Sequence, residues 1–155
     1  MRLPALALLL GLAFAPAVNA ATPPAVGPGQ VWRLDGVTVD GERFQTVLRL
    51  GPPSPAGRPL TYRADRGALL YDPAVPSLVA LDTADAGDGG LALACVTFGA
   101  VTGNARRGVL VSGTPAEVSA RLGEAFALAS LAQTSADLAA ATKEVRLGTC
   151  TLSRQ

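Results

Sequence analysis

Residues 31–50, VWRLDGVTVDGERFQTVLRL, constrain the fold more than any other stretch. Asp40-Gly41 sits near their middle, a dipeptide that tolerates the positive φ of a tight hairpin turn. Pairing Val39 with Glu42 sets Val37 opposite Phe44. Trp32 and Leu34 fall on even positions, Val37 and Val39 on odd ones, so strict alternation breaks at Asp35-Gly36. A β-bulge there restores the phase and sets Trp32 against Leu48 and Leu34 against Thr46. The expected apolar face carries Trp32, Leu34, Val37, Phe44, Leu48 and Leu50, and the other face Arg33, Arg43 and Arg49. Such a half-apolar antiparallel hairpin needs a partner surface.

The rest of the chain supplies one. Leu60–Ala64 alternates, Asp65-Arg66-Gly67 turns, and Ala68–Tyr71 returns. After Asp72-Pro73, Ser77–Leu81 reads as a further strand. Leu91–Phe98 is apolar on both phases, as a strand covered on both faces would be. Thr102–Arg106 reads as a turn, with Arg106-Arg107 solvated at its tip, and Gly108–Ser112 as a strand. Thr114-Pro115-Ala116-Glu117 is a capping box with proline at the first helical position. Val118, Leu122, Ala125, Phe126 and Ala129 follow at helical spacing to about Gln133. Ser135 reads as the N-cap of a shorter helix, and Glu144–Leu152 as a last strand with a bulge at Gly148. The expectation is an α+β fold: an antiparallel sheet of seven or eight strands, open to curling into a partly closed barrel, with one or two C-terminal helices before a last strand.

The N-terminus reads as an export signal. Arg2 is a basic n-region, Ala5–Phe14 an apolar h-region, and Val18-Asn19-Ala20 a small-residue cleavage site. Residues 1–20 are therefore expected to be removed, leaving a Pro/Gly-rich leader over 21–29 and a single domain over 30–155 with no transmembrane segment. That places the mature chain in the periplasm, the cell envelope or the medium. Lys143 is the sole lysine among 13 basic residues, a bias that fits GC-rich bacterial coding. With Arg2 gone, acidic and basic side chains balance, and no basic run marks a nucleic-acid surface. The two cysteines, Cys95 and Cys150, are expected to pair in an oxidising compartment.

Catalytic chemistry is poorly provided for. The chain has no histidine, which removes the usual general base and the commonest metal ligand. Ser77, Ser112 and Ser119 lack a Gly-x-Ser-x-Gly context, and no Ser-x-x-Lys accompanies Lys143. Asp82, Asp85 and Asp88 cluster, but at a spacing of three rather than the alternate positions of a calcium loop, and the twelfth position from Asp82 is Leu93. A solvated loop explains them, and no cofactor or metal is expected. Asp35-Gly36, Asp40-Gly41 and Asp72-Pro73 are explained as turn or bulge formers.

Trp32, Phe44, Tyr62 and Tyr71 fall on strands of one sheet. They could line an apolar pocket with the tyrosine hydroxyls as polar contacts, or be the core itself. Tryptophan near the start of the first strand, a run of strands, then a helix and a last strand resembles the order in lipocalin-type barrels. Here Gly29 stands three residues before Trp32, not two, and no other motif carries the likeness. Architecture alone would imply no function. The leading expectation is a non-enzymatic exported module binding an unknown protein or envelope component. The alternatives are a carrier of a small apolar ligand in the curved sheet and, more remotely, a carboxylate-based hydrolase.

Overall fold

The structure, a computed structural model, describes residues 25–55, 57–75, 77–85, 89–99, 104–132 and 134–155. The expected export signal, the first part of the expected leader and Asp88 lie outside these residues. Eight strands run in sequence as an antiparallel meander: β1 (Val31–Val37), β2 (Arg43–Pro53), β3 (Leu60–Ala64), β4 (Gly67–Asp72), β5 (Ser77–Asp82), β6 (Ala92–Phe98), β7 (Ala105–Gly113) and β8 (Gly148–Arg154). β8 returns to pair with β1 from Trp32↔Arg154 to Val37↔Thr149, so the sheet closes into a barrel. Closure removes every strand edge. Two helices, α1 (Pro115–Leu131) and α2 (Ser135–Glu144), bridge β7 to β8.

An eight-stranded barrel has an interior just wide enough for side chains to fill or for one small ligand. Here side chains fill it. Leu34, Leu48, Leu69, Leu78, Leu110 and Leu152 point inward and are fully buried, with Trp32, Leu50, Tyr62 and the Cys95–Cys150 disulfide among them. Thr46 also points inward, and its Oγ1 has no hydrogen-bond partner among the described residues. A second apolar cluster lies outside the barrel, where Val118, Ala125 and Ala129 of α1 and Leu138 of α2 cover Val79, Ala94, Val96, Val109 and Val111. β6 is therefore buried on both faces, as its unbroken apolar run requires.

The first hairpin departs from the expected register in an instructive way. Trp32↔Leu48 and Leu34↔Thr46 pair as expected, but the ladder continues without a bulge to Gly36↔Phe44 and Val37↔Arg43. The odd residue is absorbed by the turn instead. Thr38 N–H donates to Glu42 C=O at 2.8 Å, enclosing Val39, Asp40 and Gly41, with Gly41 at φ 85°. Val37 consequently faces outward. Glycine occupies the inward position at 36 because the Phe44 ring takes the space: a Cβ there would lie 2.2 Å from Phe44 Cζ.

Other local readings shift by one structural element. Arg106 and Arg107 belong to β7, not to a turn, because the strand gains partners on β8 through Ala105↔Ser153 and Arg106↔Leu152. Arg106 therefore points into the barrel end and is buried. The N-cap of α2 is Thr134, whose hydroxyl accepts from Asp137 N–H while the Asp137 carboxylate accepts from Thr134 N–H. Ser135 is the first helical residue. α2 runs on to Glu144, and Arg146 takes a left-handed φ of 55° before β8 opens at Gly148. The phase change at Gly148 is thus a helix-to-strand junction, not a bulge. Arg121 of α1 secures that junction by donating to the carbonyls of Val145 at 2.8 Å and Arg146 at 3.2 Å.

Candidate functional site

The four aromatics do not gather around one cavity. Trp32 and Tyr62 belong to the barrel core at the end where the chain enters. The leader turns there: Gln30 N–H bonds to Gly27 C=O, Val26 is buried, and the Tyr62 hydroxyl donates to Val26 C=O at 3.2 Å. The Trp32 indole N–H donates to Gln30 Oε1 at 3.1 Å. Tyr71 is half-buried near Arg106 at the same end. Burial pushes the Arg106 guanidinium below its ordinary pKa, an effect Tyr71 partly offsets, and the guanidinium donates to Gly99 C=O. Phe44 lies toward the opposite end, half-buried over Gly36.

Of the aspartate cluster, Asp82 and Asp85 both face Arg66. Its Nε lies 3.0 Å from Asp82 Oδ2 and its Nη2 2.8 Å from Asp85 Oδ2, and these bonds hold the guanidinium pKa above its ordinary value. Asp82 also caps its own loop, accepting from Ala84 N–H at 3.1 Å. The arrangement ties the β3–β4 turn to the β5–β6 loop. Among the described residues no group of three or more acidic, cysteine or histidine side chains is placed to hold a metal.

The recessed surfaces lie outside the barrel. The larger, about 610 Å³, is a groove between α2 and the outer faces of β1, β2 and β8. Its volume falls in the range of small-ligand sites. The pairing lays its floor in two rows across four strands. One row runs Arg107, Thr151, Asp35, Gln45; the next runs Thr149, Val37, Arg43. Leu138, Ala139 and Ser135 of α2 form the overhanging wall. Arg107 Nη1 donates to the Ser135 hydroxyl, which is available because Thr134 took over the cap. Asp35 is engaged by Arg33 Nε at 2.7 Å and Gln45 Nε2 at 3.1 Å. Arg43 makes no ion pair within 4.0 Å among the described residues. A smaller recess of about 320 Å³, almost wholly apolar, runs beside α1 over Leu70, Val79, Leu81, Leu122 and Phe126.

Of the aromatic candidates only Phe44 borders the larger groove, and its ring is turned inward over Gly36. Of the residues that shape the groove, Arg43 stands on the outward face as expected, whereas Val37 was expected inward, Asp35 in a bulge and Arg107 in a turn. What brings them under one helix is the β1–β8 pairing, which no local pattern announces.

The class of molecule that emerges is a closed, disulfide-stapled antiparallel barrel with a helical pair inserted before its last strand. Comparison with protein-family models, with curated proteins and with solved structures finds no match for this chain. Among the described residues no helix is long and apolar enough to cross a membrane.

Proposed function

We propose that the chain is an exported, non-enzymatic binding module that holds a partner or envelope component on the outer face of its barrel. The observation that carries this reading is the filled interior: six fully buried leucines and a disulfide occupy the volume where a barrel carrier would place its cargo. Recognition is then left to the outside, where the groove under α2 is the largest recess described. A buried disulfide fits an oxidising compartment and hence export. The pairing of Asp82 and Asp85 with a common arginine favours a structural role for those acids over carboxylate hydrolysis.

Photo-crosslinking in the exporting host tests the reading. A benzophenone side chain at Val37, in the groove, is expected to give a defined adduct, and one at Arg63, on the outer face of β3, is not. Equal labelling at both positions, or none at Val37, contradicts it.

A further inference from the structure

We infer that the groove under α2 is a site for an amphipathic anion: a carboxylate or phosphate monoester carried on an apolar stem. The inference rests on the reading of the groove as the binding face and assigns the chemistry of its occupant.

Charge gives the first argument. Two guanidiniums, Arg43 and Arg107, line the groove at its opposite sides, against one lining carboxylate, Asp35. Three strand-to-strand steps separate their strands, about 14 Å at the usual sheet spacing. Asp35 is already matched by Arg33 and Gln45, so it offers little to an incoming cation. Arg107 holds only a neutral hydroxyl, and Arg43 lacks an ion pair among the described residues. A molecule whose acidic and basic side chains nearly balance overall therefore concentrates uncompensated positive charge in this groove. A guanidinium pairs with carboxylate or phosphate through two parallel N–H bonds, which a neutral ligand cannot reproduce.

The walls give the second argument. Val37, Leu138 and Ala139 present apolar surface beside those cations. Val37 is an apolar side chain kept on the outer face of a barrel, set there by the unbulged register. Thr149 and Thr151 bring methyl groups and hydroxyls to the same floor. An inorganic anion would leave this surface unused, and an uncharged hydrocarbon would leave the arginines unused. An anionic head on an apolar stem satisfies both, and the groove volume of about 610 Å³ accommodates a medium-chain molecule of that kind.

Titration calorimetry on the full mature chain, with dodecanoate and dodecyl phosphate below their micellar concentrations, reads the chemistry directly. Both are expected to bind more tightly than the uncharged dodecyl maltoside, with affinity falling as salt is raised. Arg43→Gln and Arg107→Gln should each weaken dodecanoate by roughly three- to tenfold, the range of a partly exposed ion pair. Ala139→Trp, which fills the groove from α2, should abolish binding, with circular dichroism confirming that the variant is folded. Equal affinity for the neutral and anionic amphiphiles, or arginine variants that bind as well as the parent, overturns the anion assignment. So does pelleting with phosphatidylglycerol vesicles by a protein that fails to bind free dodecanoate, since that moves the site to a membrane surface. These failures would leave a Val37 crosslink in the host intact, so the ligand chemistry and the groove itself are tested separately.

Discussion

Cys95 of β6 and Cys150 of β8 are bonded to each other across a strand that pairs with both. Cys95 stands opposite Leu110 and Cys150 opposite Gly108, so the bridge passes over the inner face of β7. Glycine at 108 keeps that inner face low: a Cβ there would lie 2.2 Å from the Val96 carbonyl oxygen. The staple thus locks β6 to β8, the strand that follows the helical insertion, across the intervening β7.

The double replacement Cys95→Ser, Cys150→Ser should therefore be strongly destabilising. Releasing a closure between residues 55 apart costs about 4 kcal/mol on the loop-entropy account. For a chain of this size that lowers the thermal midpoint by on the order of 10 °C. Differential scanning calorimetry checks it, and an unchanged midpoint would deny the bond its structural role.

Gly36 and Phe44 make a second dependent pair. Gly36→Ala drives a methyl group into the Phe44 ring and is expected to cost about 1–3 kcal/mol, as overpacking does. Phe44→Leu in the same chain should recover much of that loss. Denaturant unfolding of the two single variants and the double variant gives the coupling. Additive losses would mean the ring does not occupy the space above Gly36.

Glu117 supplies a pH-dependent contribution. Its carboxylate accepts from Thr114 N–H at 2.7 Å and from the Thr114 hydroxyl at 2.9 Å, and both bonds pull its pKa below the ordinary glutamate value. A depressed folded-state pKa gives stability that is fully present above the unfolded-state pKa and lost as pH falls through the folded one. The stability difference between the parent and Glu117→Gln should therefore be constant near neutrality and shrink through the acidic range. Urea unfolding at a series of pH values reads it, and a difference that grows on acidification would reverse the sign argued here.

How much of this was legible in the sequence depends on the range of the interaction. The capping box at Thr114 and Glu117, the doubly buried β6 and the Asx turn at Asp72 each follow from a few neighbouring residues, and each stands where expected. The cysteine pair followed from compartment and count. The bulge at Asp35-Gly36 did not survive, because alternation alone cannot say whether an extra residue sits in a strand or in its turn; here Gly41 let the turn take it. Arg106 was misplaced because its strand begins on β8, a partner 45 or so residues away whose pairing leaves no local trace. The groove was invisible for the same reason: Arg107, Thr151, Asp35 and Gln45 form one row only once the barrel closes.

On the proposed reading the barrel recognises its ligand outside, under α2, and its filled interior is structural. Amide chemical-shift mapping of the isotope-labelled mature chain against dodecanoate tests it most directly. The expected shifts cluster at residues 35–37, 43–45, 135–139 and 149–151 and leave the inward leucines, Leu48, Leu69 and Leu78, unmoved. Shifts centred on those leucines would place the ligand in the barrel interior and contradict the account.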